Sequence, residues 1–262
     1  MEYTQLTVNH SMQARIAIVT LHRPQVRNAL NAQLIQELAA VFTELSLNDK
    51  LHGVVLTGEG SAFCAGADIQ MMRESITLDE EQNVSEALRL ADMLHTINVC
   101  PCPVVGRVNG DAIGGGIGLT AVCDIVIAAD HARFAFSEVK LGIAPAVISP
   151  YAIRKIGETN ARALFVTGER FSAQRAHMLG LVHAVVPTEL LDDAVQNALN
   201  ELVHNGPQAL RASKTLALSV GTMDYDDARH YTAETIARLR VSEEGQDGLS
   251  AYLEKRKPRW LQ

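Results

Sequence analysis

Long apolar runs are missing from this 262-residue chain: none reaches the roughly 18 residues that a membrane span needs. The start, MEYTQLTVNH, has no basic segment ahead of an apolar stretch and is not arginine-rich. Neither a secretory signal nor a transit peptide is expected, and the expected location is cytoplasmic. Positive charge is short: 23 Lys+Arg against 30 Asp+Glu leave a net charge of −7. A general nucleic-acid binder would usually be basic, so that class is disfavoured; a local basic pocket for a phosphorylated ligand is not. Cysteine is sparse, at positions 64, 100, 102 and 123. Four in this length make no disulfide scaffold, and Cys100-Pro101-Cys102 lacks the CxxC spacing of zinc and redox sites. They read as small, mostly buried residues of a reduced protein. The nine histidines are scattered and none pairs with another at ligand spacing, so no metal is expected. There is no GxSxG elbow, no HExxH and no Walker A motif.

What is present is an ordinary globular composition, 47% apolar and 20% charged, in a chain long enough to bury a full core. The first half alternates short strands and helices. Residues 14–21 are apolar on both faces, as in a strand covered on both sides. Leu34, Leu38, Val41 and Leu45 stand at helical spacing over 31–47, with Asn31 as N-cap. Further strands are expected at 53–57, 104–108, 124–129 and 133–136. A helix is expected over 82–98, with Val84, Ala87, Ala91 and Leu94 on one face. After about residue 149 helices dominate, with starts at Ser149-Pro150, Ser172, Thr188, Gly206-Pro207 and Ser242 and a stop at Gly180. The reading is α/β, with a core over 1–190 and a helical region over 191–262.

Two glycine-containing segments bear on chemistry. Gly116-Ile117-Gly118-Leu119-Thr120-Ala121 satisfies a loose dinucleotide fingerprint, and Glu138 stands 20 residues beyond Gly118. However, only seven residues separate Gly116 from the strand expected at Asp124, too few for a Rossmann crossover helix. Three adjacent glycines before a helix can instead present backbone N–H groups to a carbonyl oxygen, or simply let a helix pack close to a strand.

The second segment is Phe63-Cys64-Ala65-Gly66-Ala67-Asp68-Ile69. With HRPQVRNAL, NGDAIGGGIGL, CDIVIA and FSEVKLG in the same order, and with Gly180-Leu181-Val182 and YLEKRKPRW further on, the whole chain resembles the enoyl-CoA hydratase/isomerase (crotonase) superfamily. The resemblance implies a crotonase-like spiral of ββα turns with a C-terminal helical oligomerisation region, assembled as a homotrimer or homohexamer. It implies an acyl-CoA thioester substrate and no cofactor beyond the coenzyme A that the substrate carries. By the same resemblance the backbone amides of Ala67 and Gly115 form an oxyanion hole and Glu138 is the acid/base. Substrate contacts fall on Arg27, Ala29, Ala65, Asp68 and Ile69. Lys255 and Lys257 are candidates for phosphate contacts, though a solvated helix end explains them as well.

Hydratases of this superfamily usually carry a second glutamate two residues after the glycine triplet, where this chain has Gly118. With two carboxylates, one can deprotonate water while the other delivers a proton. With one, a 1,3-proton shift is chemically sufficient, so isomerisation stands beside hydration, and a catalytically weak acyl-CoA-binding protein stands behind both. The stretch SEVKLGIAPAVISPY resembles a bacterial hydratase-like branch that includes enzymes of branched or carboxylated, methylglutaconyl-type enoyl-CoA, and this favours hydration. Gly118 is expected to leave room for such an acyl group. Asp111 reads as a turn residue, Asp124 as a structural strand-end group, and His183 as a half-buried strand residue.

Overall fold

The computed structural model describes residues 3–13 and 15–262. The chain begins with an antiparallel hairpin of β1 (Leu6–Ser11) and β2 (Ile16–Leu21). Helix α1 (Ala32–Ser46) follows, started by Asn31, whose side chain accepts the Leu34 N–H at 2.9 Å. Its buried face carries the four residues expected from spacing, together with Ile35 and Phe42.

Three turns of a repeating unit come next. β3 (Gly53–Gly58) and β4 (Ala62–Cys64) lead to α2 (Ile69–Ser75) and α3 (Glu80–Asn98). β5 (Val104–Val108) and β6 (Asp111–Ile113) lead to α4 (Gly115–Ala121). β7 (Ile125–Ala129) and β8 (Arg133–Ala135) lead, through a 3-10 turn over Glu138–Leu141, to α5 (Ser149–Thr167). Each turn gives one strand to each of two sheets, so the chain winds as a spiral. After β9 (Arg170–Ser172), α6 (Ala173–Met178) and β10 (Ala184–Val186), the larger sheet runs β1-β2-β3-β5-β7-β10 and the smaller β4-β6-β8-β9. The central pairs β2·β3, β3·β5 and β5·β7 are parallel. Parallel strands covered on both faces need apolar residues throughout, and β3, GVVLTG, is buried at every position.

Phe42, Phe63, Phe134 and Phe136 are fully buried in the main core. A second core lies under α7 (Leu191–Val203), where Leu191, Val195, Leu199 and Leu202 pack on Ile16, Val55, Val105 and Ile127. Thus α7, placed by sequence at the start of the helical region, covers the larger sheet. Beyond it come α8 (Pro207–Ser219), α9 (Tyr225–Val241) and α10 (Glu243–Glu254). Ser172 and Ser242 cap α6 and α10 through their hydroxyl oxygens. Among the described residues no helix is long and apolar enough to cross a membrane.

Candidate active site

The pairing of the smaller sheet assembles the site. Ile113 of β6 lies in register with Ala135 of β8. The residues just past each strand end therefore become neighbours: Gly114 on one side and Ser137-Glu138 on the other. The Gly114 N–H donates to the Ala135 carbonyl at 2.9 Å and fastens the start of α4 to this edge.

Each glycine of the triplet has its own reason. Gly114 has φ +52°, and a Cβ there would stand 3.2 Å from Glu138 Oε1. A Cβ on Gly115 would meet Leu30 Cδ1 at 2.8 Å, and one on Gly116 the Cys64 carbonyl oxygen at 2.2 Å. The last contact means that α4 presses on β4. Gly66, with φ +94°, lies against the same corner, its missing Cβ 2.9 Å from the Ile113 oxygen and 3.8 Å from the Gly115 nitrogen.

Ala67 is held by a short parallel bridge to Leu30. The Leu30 N–H donates to Gly66 O at 2.7 Å and the Asp68 N–H to Leu30 O at 2.8 Å. Between them, the Ala67 amide donates to nothing among the described residues, and neither does the Gly115 amide. The first amides of a helix lack intrahelical acceptors, which accounts for Gly115.

These segments border a cavity of about 380 Å³. Leu30, Ile35, Met71, Leu90, Ile143 and Ile148 supply much of its apolar wall, and Ala65, Ala67, Gly115 and Glu138 all line it. Glu138 Oε2 is buried and has no hydrogen-bond partner among the described residues. Burial pushes the carboxyl above its ordinary value, opposed only by a bond from its own backbone amide. No lysine, arginine or histidine lines the cavity among the described residues. A carboxylate in such a place is a stronger base than usual and holds its proton longer, as acid/base work near neutrality requires.

The structure therefore brings four of the sequence-predicted residues to one cavity: Ala65, Ala67, Gly115 and Glu138. The others do not line it. Arg27 has φ +55°, and its guanidinium reaches Asp111 at 2.7 Å. Its carbonyl accepts the Ala65 N–H at 3.0 Å, which ties the turn to the site. Ala29 is buried beside Asn28, whose side chain bonds to Glu59 O and Ala62 O. Ile69 is 69% exposed.

Asp68 accepts from the Gln70 N–H to cap α2 and pairs with Arg23 at 2.8 Å. Burial would raise its carboxyl, but these bonds and the arginine charge outweigh that and hold it low. Lys255 and Lys257 are exposed.

Gly118 departs from expectation. It lies inside buried α4, and a Cβ there would meet Ile148 Cγ2 at 2.5 Å and Leu94 Cδ1 at 3.4 Å. The room expected for a bulky acyl group is filled by Ile148. Cys64 is buried, and burial pushes its thiol up to about 12, consistent with a packing residue and not a nucleophile. Asp111 accepts from Arg27 and the Arg133 N–H, and Asp124 accepts the Val104 N–H. His183 lies one residue before β10, its Nδ1 accepting the Val126 N–H.

Sequence reasoning missed Ile148 and the polar residues Ser75, Asn83 and Glu86 on the cavity wall. Asn83 and Glu86 share a face of α3 with the expected Ala87, a spacing the sequence did offer. Val84, expected on one face with Ala87, Ala91 and Leu94, is 52% exposed.

A spiral of two sheets wound by repeated ββα turns, with a buried carboxylate on an apolar cavity, defines a crotonase-fold protein. The chain belongs to the enoyl-CoA hydratase/isomerase family, whose sequence model matches residues 11–262. A short-chain-enoyl-CoA hydratase of Clostridium acetobutylicum is 34% identical over 251 residues, covering 94% of each chain. The crystal structure of an enoyl-CoA hydratase from Shewanella pealeana is 38% identical, with a TM-score of 0.93 over 99% of this chain and 97% of that one. Pseudomonas aeruginosa AtuE is 33% identical, with a TM-score of 0.95 over 99% of this chain and 100% of that one.

Proposed function

We propose that this protein is an enoyl-CoA hydratase that adds water across the 2,3 double bond of an unsaturated acyl-CoA thioester. The observation that carries the reading is Glu138: half-buried, its Oε2 buried and unpartnered, raised by burial, and facing an apolar cavity that two unused amides also border. In this reading the Ala67 and Gly115 amides hold the thioester oxygen. Glu138 takes a proton from water as the water oxygen bonds to C3, and the displaced electron pair moves onto the thioester oxygen. The resulting enolate collapses as Glu138 returns its proton to C2. One carboxylate closes this cycle, with every atom of water ending on the product. Each amide is worth about 3 kcal/mol to the developing oxyanion in a dry site.

Coenzyme A contacts are proposed for Ala65, which lines the cavity, and for Arg27, Ala29, Asp68 and Ile69, on the segments next to the lining residues Leu30 and Ala67. No cofactor beyond that coenzyme A is required. Tyr225, Val241, Leu249, Tyr252 and Leu253 leave α9 and α10 with exposed apolar surface, which supports a homotrimer or homohexamer.

Isomerisation is a second reading, favoured by one observation: Ile148 occupies the place of a side chain at 118, leaving Glu138 without a second acid there. Mass spectrometry in heavy-oxygen water, with panels of 2-enoyl- and 3-enoyl-CoA, tests both. Hydration predicts uptake of labelled oxygen, reduced by about 10²–10⁴ in Glu138→Gln. Conversion of 3-enoyl to 2-enoyl thioesters without oxygen uptake replaces hydration with isomerisation.

A further inference from the structure

Arg23 does not line the cavity, but a chain of bonds joins it to the Ala67 amide that does. Its guanidinium is largely buried. One nitrogen pairs with Asp68 at 2.8 Å, and another donates to the Ala29 carbonyl. Ala29 O belongs to the same peptide unit as the Leu30 N–H, which donates to Gly66 O at 2.7 Å. Gly66 O in turn shares a peptide unit with the Ala67 N–H. No peptide bond among the described residues is cis, and a planar trans peptide points its oxygen and its N–H in opposite directions. Each bond therefore sets the direction of the next group: guanidinium, Ala29–Leu30 unit, Gly66–Ala67 unit, and last the unused Ala67 N–H. The backbone of Arg23 is held as well. Its N–H donates to Asn28 Oδ1 and its carbonyl accepts the Asn28 N–H, both at 2.9 Å. The buried Asn28 amide is itself fixed on Glu59 O and Ala62 O.

We propose that Arg23 is a positioning residue for the reaction: it anchors a relay of two peptide units that aims and polarises the Ala67 amide toward the thioester oxygen. The inference rests on the acyl-CoA reading of the site. A guanidinium suits this task because its planar fork serves a carboxylate and a carbonyl at once in fixed directions, which an ammonium does not. A buried ion pair is weak support for stability, since desolvation offsets its attraction. Here the Arg23–Asp68 pair fixes a geometry, because Asp68 follows Ala67 directly and donates its own N–H to Leu30 O at 2.8 Å. Hydrogen bonds in a chain polarise one another, and this chain starts at a full positive charge. An oxyanion donor is effective when it is already aimed at the place where charge develops.

Acetoacetyl-CoA, a 3-oxo thioester, tests the relay on the full chain, because its enolate has its own ultraviolet band and places charge on the thioester oxygen. The pH at which the bound ligand ionises is measured at saturation, so that weaker binding does not enter. In the wild type this pH is expected to lie well below that of the free thioester. Arg23→Lys keeps the charge and loses the fork. In it the ionisation of the bound ligand is expected to rise by about one to two pH units, since a donor misplaced by roughly 1 Å costs on the order of 10²-fold. Affinity for saturated butanoyl-CoA, measured by calorimetry, should stay within a fewfold. An ionisation unchanged in Arg23→Lys overturns the proposal. A loss of butanoyl-CoA affinity by the same factor also overturns it, because Arg23 would then serve only the fold of the cavity. If Arg23→Lys does not fold, Arg23→Gln combined with Asp68→Asn removes both charges and strands neither; the same rise is expected of it, and its absence is equally fatal. A wild type that binds both thioesters without favouring the enolate overturns the proposal too. Binding of neither thioester by the wild type is the distinct result that removes the acyl-CoA reading itself.

Discussion

At position 118 the absence of a side chain is a packing fact before it is a catalytic one. Ile148 Cγ2 stands 2.5 Å from where a Cβ would be, a separation that real Cβ atoms do not tolerate. Ile148 is 3% exposed and lies at the start of α5, so it has little freedom to retreat. Overpacking of this kind costs about 1–3 kcal/mol. Gly118→Ala is accordingly expected to destabilise the protein by about that much, measured by urea denaturation. In an Ile148→Ala background, where the obstructing methyl is gone, the same substitution should be close to neutral. A double-mutant cycle reads the difference as a coupling between the two sites. Additive effects would show that Ile148 does not define the space at 118.

Among the elements, α8 is fastened by charge more than by apolar packing. Lys214 is its one buried residue. Its Nζ lies 2.7 Å from Asp124 Oδ2 and 3.3 Å from the Cys102 carbonyl. Removing one partner of a buried ion pair strands the other charge, which typically costs 3–5 kcal/mol; Asp124 is partly exposed, so the lower part of that range applies. Lys214→Met is expected to cost about 3 kcal/mol in chemical denaturation. Adding Asp124→Asn should recover part of the loss, because the amide oxygen can still accept the Val104 N–H.

The same elements show what the sequence could tell. α1 and α3 were legible because their apolar residues repeat at the helical period, β3 and β5 because they are short, nearly continuous apolar runs. Short strands such as β4, β6 and β9 have only three residues each, too few for a period to register. The break in α5 at Gly157, φ +73°, was likewise hidden inside a helical pattern. Glu138 and the glycine triplet were legible as motifs. Ile148 was not, because its role depends on which segments the spiral brings together and not on the residues beside it.

At the scale of the whole molecule, stability against pH separates groups that serve the fold from the group that serves the site. Burial holds the imidazoles of His52 and His183 below their ordinary value. In Glu37, burial works upward, but bonds from the Gln5 and Thr4 amides and neighbouring side chains bring the carboxyl low, as in Asp68. All four bind protons more readily in the unfolded chain. Their contribution is complete above the unfolded values, near 6.5 for histidine and near 4 for the carboxylates, and is lost as pH falls through the folded ones. Glu138 has the opposite sign. Its folded value is raised, so the folded state takes up the proton first. The stability it contributes is present below the unfolded value and lost as pH rises through the folded one. Glu138→Gln removes that dependence without adding a charge. Thermal melts of wild type and variant should coincide near pH 4, with the variant increasingly more stable toward pH 8. In a domain of this size each kcal/mol appears as roughly 2–4 °C. A gap that stays constant with pH would mean that Glu138 is as well solvated in the fold as in the unfolded chain. The proton held inside the cavity, and with it the base strength assigned to this residue, would then be gone.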